Sequence, residues 1–321
     1  MSETINQIIC AANYKNVGTC DCFFDPKEIK GGFLVPIGKV FSPSDLLDAA
    51  IQATLEALIH ADQPERIYPF PHFVGMTDNS EDAVDVTYGF GGTEKVRDGN
   101  YKWSFRFRNG GLSVSNRLRS FNGKQNKYAV IFFDDDNTFI GTKSGTGITG
   151  IIMEEIYTKK WKANPGNDTT MYEIMFNFQP EQINEDLAFK KVTNSSYLLR
   201  DLNGLLDVTP AQLAVANLTV TVGLTDQCGA DMYDEFADEF AVVGAWVLAN
   251  ATTGGAIPVT SVTKNATLKG WVITPTAADP DMPASGSTYT VSLASPTELK
   301  ALTASIEGYE GASSLTVTRP A

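Results

Sequence analysis

"KYAVIFFDDDNTFIGTK", residues 127–143, sets two short apolar runs on either side of three carboxylates and an asparagine. "YAVIFFD" and "TFIGTK" are rich in β-branched and aromatic side chains and are bounded by turn residues, which is the composition of strands. Neighbouring residues of a strand point to opposite faces, so Asp134, Asp135 and Asp136 do not converge on one ion. The distant bidentate glutamate that closes an EF-hand loop does not follow them either. Asp135-Asp136-Asn137 therefore reads as the bend of a hairpin.

The same texture continues on both sides. In "YKWSFRFR", residues 101–108, Tyr101, Trp103, Phe105 and Phe107 alternate with Lys102, Ser104, Arg106 and Arg108, which predicts a strand with one covered face and one cationic polar face. "GIIMEEIY" and "MYEIMFNFQ" add further candidates, giving roughly five to seven antiparallel strands between about residues 84 and 180. "RDGN", "NGG" and "NPGND" supply the turn residues between them. Upstream, "SPSDLLDAAIQATLEALIHAD" predicts a helix from Ser42 to Asp62, with Ser42 as cap, Pro43 at the first helical position and Asp45 at the favourable end of the dipole. Its apolar side combines Leu46, Ala50, Ala53, Ala57 and Leu58, widened by Leu47, Ile51, Leu55 and Ile59. The expected first domain, residues 1–202, is a mainly β, antiparallel sandwich or barrel-like core with one packed helix, long loops and an N-terminal arm.

A chain of 321 residues suits two cores better than one. Near residue 200 the composition shifts. Lys264, Lys269, Lys300 and Arg319 are the only cations after residue 200, against thirteen carboxylates, and Thr, Val, Ser, Ala and Gly dominate short β-favouring runs. "LTVTVGL", "FAVVGAWVLAN", "AIPVTSV", "LKGWVITP", "STYTVSLAS", "LTASIEG" and "SSLTVTR" predict a second domain, residues 203–321, of immunoglobulin-like β-sandwich type, with Pro210 near the boundary. "MYDEFADEF" fits a helical turn or a ruffled strand equally.

Candidate chemistry is sparse. Cys10, Cys20, Cys22 and Cys228 lack zinc-site spacing and read as buried free thiols; the two histidines, His60 and His72, have no recognisable catalytic context. Adjacent Glu154 and Glu155 do not face each other across a substrate, as a glycosidase pair must. "GTKSGTGITG" lacks the spacing of a phosphate-binding loop and falls between strands. No cofactor, no metal and no enzymatic activity are expected. No run reaches the roughly 18 apolar residues of a membrane span, and the N-terminus lacks a signal-peptide pattern, so neither a membrane anchor nor export is expected.

The distributed signal is charge. Against a net charge of −13, Arg97, Lys102, Arg106, Arg108, Arg117, Arg119, Lys124 and Lys127 crowd into about thirty residues of sheet-forming sequence. Such segregation fits nucleic acid, but it fits neighbouring acidic copies of the same chain better, since the body as a whole repels phosphates. These eight residues are the candidate assembly interface.

"DVTYGFGGTEKVRDGNYKWSFRF" followed by "KYAVIFFDDDNTFIGTK" resembles structural proteins of tailed bacteriophages, especially major tail tube proteins of phages and prophages of Bacteroidetes-like hosts, over roughly residues 1–200. The resemblance implies stacked hexameric rings around a channel through which DNA passes transiently and without sequence preference. It also implies self-association, contacts with other tail or virion proteins, and a virion location after assembly in the host cytoplasm. An acidic lining suits a conduit, because each phosphate contact would have to break as the polymer slides. Capsid, head decoration and baseplate proteins share both parts, and the C-terminal domain alternatively binds glycans or a host surface, with Trp246 and Trp271 as aromatics to inspect.

Overall fold

The computed structural model describes residues 27–47, 49–108, 110–161, 170–192, 197–311 and 313–320. The expected N-terminal arm, with Cys10, Cys20 and Cys22, lies outside them, as does the "NPGND" turn. The fold is mainly β, with several sheets and a modest amount of helix. By internal contacts the chain divides into two compact units, Met1–Ile59 with Gln63–Gly204, and His60–Asp62 with Leu205–Ala321.

In the first unit, β1 (Ile29–Pro36), β2 (Val40–Phe41), β3 (Tyr68–Pro69), β4 (Phe73–Asp78) and β5 (Val84–Thr87) come first. They are followed by β6 (Thr93–Arg97), β7 (Tyr101–Phe107), β8 (Tyr128–Asp134), β9 (Thr138–Ser144) and β10 (Gly147–Thr149). Then come β11 (Ile151–Thr158), β12 (Tyr172–Phe178) and β13 (Leu187–Lys191). Eleven of these strands form one sheet along the path β2-β10-β9-β8-β11-β12-β7-β4, with β1 on β8 and β3, and β13 on β9. Among the described residues, β5 and β6 pair only with each other.

The decisive stretch folds as its residues dictate. β8 and β9 pair with Phe132 opposite Ile140 and Phe133 opposite Phe139. Asp134 Oδ1 closes the bend by accepting the N–H groups of Asp136 and Thr138, both at 2.9 Å, and Asn137 takes a left-handed φ of 59°. "TFIGTKSGTGIT" turns once more at Gly145 (φ 58°), so β9 and β10 form a second hairpin. Among the described residues, eight strands thus lie between positions 84 and 180, more than expected.

β7 buries Trp103, Phe105 and Phe107 as its alternation predicts, and β12 matches it with Ile174, Phe176 and Phe178. Their rings build an aromatic core: Phe105 stacks on Phe73 at 4.6 Å and meets Phe132 at 5.0 Å, and Phe132 meets Phe176 edge-on at 5.4 Å. Ser104, expected on the exposed face, is fully buried because Asn79 Nδ2 and Lys159 Nζ reach over from neighbouring segments to its hydroxyl. β8 is covered on both faces, with Ala129 through Phe133 all buried.

The helix is shorter than its sequence pattern. α1 spans Ile51–His60, and residues 43–47 form turns. Ser42 and Asp45 bond reciprocally, Ser42 N–H to Asp45 Oδ2 at 2.8 Å and Asp45 N–H to Ser42 Oγ at 3.4 Å. The amides of Asp45, Leu47 and Ala50 bond three residues back, the tighter turn, and interrupt the four-residue bonds that Leu46 and Ile51 make. The buried stripe is Ile51, Leu55, Leu58 and Ile59, while Ala53 and Ala57 are exposed, since burying the larger side chains removes more apolar area from water; Leu47, ahead of the helix, is exposed as well. Two helices were not expected: α2 (Gly111–Leu118), continued by a 3-10 turn at Arg119–Phe121, and α3 (Pro180–Asn184).

The second unit contains β14 (Leu206–Ala216), β15 (Thr219–Asp226), α4 (Tyr233–Phe236), β16 (Trp246–Asn250), β17 (Ala256–Ile257) and β18 (Val259–Asn265). β19 (Gly270–Pro275), β20 (Thr288–Leu293), α5 (Pro296–Lys300), β21 (Tyr309–Gly311) and β22 (Leu315–Thr318) complete it. The sheets run β18-β19-β15-β14-β21 and β17-β16-β20-β22, and one core draws on both, joining Val222, Trp271 and Ile273 to Leu248, Tyr289 and Val291. "MYDEFADEF" resolves as the helical turn α4. Pro210 is not a boundary residue; it is buried inside β14, opposite Leu224, beyond the three residues of β14 that β21 pairs. A proline is tolerated there because one side of the strand needs no donor. "LTASIEG" forms no strand; Ile306 is buried and its N–H returns to Leu299 O at the end of α5.

Candidate assembly surface

The eight cations do not form one strand face. Arg97 ends β6, Lys102 and Arg106 lie on β7, and each is held by its own chain. Arg97 approaches Glu81 at 4.0 Å, Lys102 pairs with the same carboxylate, and Arg106 Nη2 donates to Thr77 Oγ1 at 3.1 Å. Arg108, Arg117, Arg119, Lys124 and Lys127 sit outside sheet altogether, on the excursion of residues 108–127 that carries α2 between β7 and β8. "GLSVSNRLRSF" has an amphipathic period that earns a helix, with Ser115 and Leu118 turned inward; the alternation of the flanking strands masks it.

That excursion is anchored. Phe121 packs edge-on against Tyr68 at 4.9 Å and Tyr128 at 5.5 Å, Asn122 Oδ1 accepts from Thr158 N–H at 2.9 Å, and Gly123 N–H reaches Ile156 O. Lys124 stands 5.8 Å over the Phe121 ring. Arg108, Arg119, Lys124 and Lys127 are exposed, and none forms an ion pair among the described residues.

The sequence reading passed over a second surface. Every residue of β5 and β6 is exposed. Val84 lies opposite Arg97 and Val86 opposite Glu94, so Val84, Val86 and Tyr88 share one face with Glu94 and Arg97, while Asp85, Thr87, Thr93 and Lys95 take the other. Tyr88 lies across its strand partner, donating to Glu94 Oε2 at 2.6 Å. Val96 and the fully exposed Phe90 at the tip extend the apolar side. The signal was present in "VDVTYGF", a period of two with valines on one side, though nothing in it says that the valine face is left open to water. β4, the end strand of the sheet path, exposes Val74 and Met76 as well.

The other clusters are occupied by structure. Asp134 is buried and accepts backbone donors, including Lys27 N–H at 3.2 Å. Asp136 pairs with Lys27 at 2.9 Å and Lys191 at 3.6 Å, and Asp135 lies 3.9 Å from Arg200. The hydrogen bond from Lys27, ahead of the charge itself, holds the Asp136 carboxyl below its ordinary range. Glu154 and Glu155, on β11, accept separately from Asn100 at 3.1 Å and Asn177 at 3.0 Å. A groove at the ribbon base, lined by Lys95, Arg97, Asp98, Asn100, Glu154 and Glu181 among others, contains the Lys95–Asp98 ion pair at 2.7 Å and the Asn100–Glu154 hydrogen bond at 3.1 Å. Among the described residues no group of three metal-ligating side chains converges, and no helix is long and apolar enough to cross a membrane.

In the second unit Trp246 and Trp271 are core residues rather than a sugar platform: both are buried, and their indole N–H groups donate to Phe240 O at 2.8 Å and Ala237 O at 2.9 Å. Cys228, expected buried, is an exposed free thiol, because its N–H closes a turn on Asp226 Oδ1 at the surface. Comparison with family models, curated proteins and solved structures finds no match.

Proposed function

We propose that this chain is a self-assembling structural protein of a tailed-bacteriophage virion, a tail tube subunit that stacks in hexameric rings around a channel passing DNA. The observation that carries the reading is the β5–β6 ribbon, whose valine face, shared with Glu94 and Arg97, leaves Val84, Val86, Tyr88, Phe90 and Val96 open to water. An isolated two-stranded ribbon is marginal in water, and contiguous exposed apolar surface marks a protein contact. A second copy supplies that contact without a further component, and β4, with Val74 and Met76 exposed at the end of the sheet, offers a strand edge for it. The texture resemblance over residues 1–200 and the acidic balance of the chain support the tube in particular. In this reading the first unit is the barrel-like assembly core, and the two sheets of the second are an appended immunoglobulin-like sandwich on the outside of the virion.

The test is electron microscopy of the purified full chain over a range of concentration. Rings or tubes with a central channel and six subunits per turn are expected. Val86→Glu combined with Phe90→Ser should abolish them while circular dichroism stays unchanged, because neither side chain supports the core. A closed shell would replace the tube with a capsid role, and monomers at every concentration would overturn self-assembly itself.

A further inference from the structure

Between Asp98 and Asp134 the chain contains no carboxylate, yet it holds Lys102, Arg106, Arg108, Arg117, Arg119, Lys124 and Lys127. In a protein of net charge −13 this is the one long stretch of single positive sign. Apart from Arg106 on β7, its exposed cations stand on the α2 excursion, which Phe121, Asn122 and Gly123 fasten to the sheet. A charged surface held in place loses little freedom when a partner binds, so it is prepared for a partner in a way that a mobile loop is not.

The matching surface is also in this chain. Along α4 and the residues around it, Asp231, Asp234, Glu235, Asp238 and Glu239 put five carboxylates into nine residues. Lys269 pairs with Asp234 and Lys264 with Asp238, which leaves the exposed Asp231 and Glu235 and the half-buried Glu239 outside any ion pair among the described residues. The segment is held by Tyr233, whose ring packs on Trp271 at 5.3 Å, and by the buried Phe240. Opposite surpluses on anchored supports, each without an ion-pair partner among the described residues of its own unit, complement each other between copies.

We propose that the cationic excursion around Arg119, Lys124 and Lys127 of one copy docks on the acidic segment around Glu235 and Glu239 of a second copy. This rests on the self-assembly reading and names a contact separate from the ribbon. A phosphate polymer is the weaker fit, because the strongly acidic body of the protein repels it as it approaches.

Sedimentation of the full chain at low and high salt tests the contact with two variants, one carrying R119E, K124E and K127E, the other E235K and E239K. Each alone should associate roughly tenfold or more weakly than wild type at low salt, and wild-type association should weaken as salt rises. Mixed in equal amounts, the two variants should recover association, because each then presents the charge that the other lacks. The milder pair K124Q with K127Q repeats the loss if the triple reversal unfolds, as near-ultraviolet circular dichroism would reveal. Loss in both variants without recovery on mixing overturns the pairing, as does wild-type behaviour in both. In either case the self-assembly reading survives if the Val86 and Phe90 ribbon variant alone fails to assemble. A 30-base-pair DNA duplex that binds wild type but not the triple reversal, with self-association unchanged, overturns the proposal in favour of a phosphate polymer; a monomeric wild type removes both readings.

Discussion

Asn137 shows how much a single residue can hold. Its place in the bend after Asp136 follows from asparagine's tolerance of the left-handed region, and its φ is 59°. Its side chain also does something that no turn rule states: it is buried, donates from Nδ2 to Tyr197 O at 3.0 Å and accepts Leu199 N–H at 2.9 Å, sixty residues away. Asn137→Gly keeps the backbone conformation and removes both bonds, so it should cost about 1–3 kcal/mol. Asn137→Ala adds the left-handed penalty of roughly 1 kcal/mol. Urea unfolding of both variants checks the order; a glycine variant as stable as wild type would show that the side-chain bonds contribute nothing.

At the scale of elements, local signals are read correctly where neighbours agree with them. The apolar face of β7 is buried because β12 sets Tyr172, Ile174 and Phe176 opposite Phe107, Phe105 and Trp103, and β4 adds Phe73 opposite Phe107. The start of α1 does not extend as its pattern implies: Ser42 and Asp45 bond each other as a helix cap would, yet the amides of Leu47 and Ala50 reach only three residues back and the regular helix begins at Ile51. The two hydrogen bonds from Ser42 hold the Asp45 carboxyl below its ordinary value. A depressed folded-state value means that the contribution is present above the ordinary carboxylate range and lost as pH falls through the folded value. Asp45→Ala should therefore cost about 1 kcal/mol at neutral pH, and the gap to wild type should close below about pH 4. Chemical denaturation in steps from pH 6 to pH 2 measures the gap; a constant difference would assign the loss to packing instead. The reverse case is α5, a helix that escaped notice although "SPTELK" spells its capping box: Ser295 Oγ accepts from Glu298 N–H while the Glu298 carboxylate takes Ser295 N–H.

Across the whole molecule, the two cores share no residue: one gathers around Phe105, Phe132 and Phe176, the other around Trp271, Trp246 and Tyr289. Trp271→Ala should remove about 3–5 kcal/mol from the second unit and Phe132→Ala a similar amount from the first. Differential scanning calorimetry should show each variant lowering a different transition; a common shift of all heat absorption would mean that the units unfold together. By itself the sequence determined the mainly β character, the hairpin at Asp135–Asn137 and the change of texture near residue 200, because these follow from side-chain alternation, turn chemistry and composition, all of which are local. Only the tertiary structure decided that Arg117 and Arg119 ride on a helix, that Pro210 lies within a strand, that both tryptophans are core, and that the valines of "VDVTYGF" face water. Alternation marks a face as apolar, but what covers that face comes from residues far along the chain or from another chain.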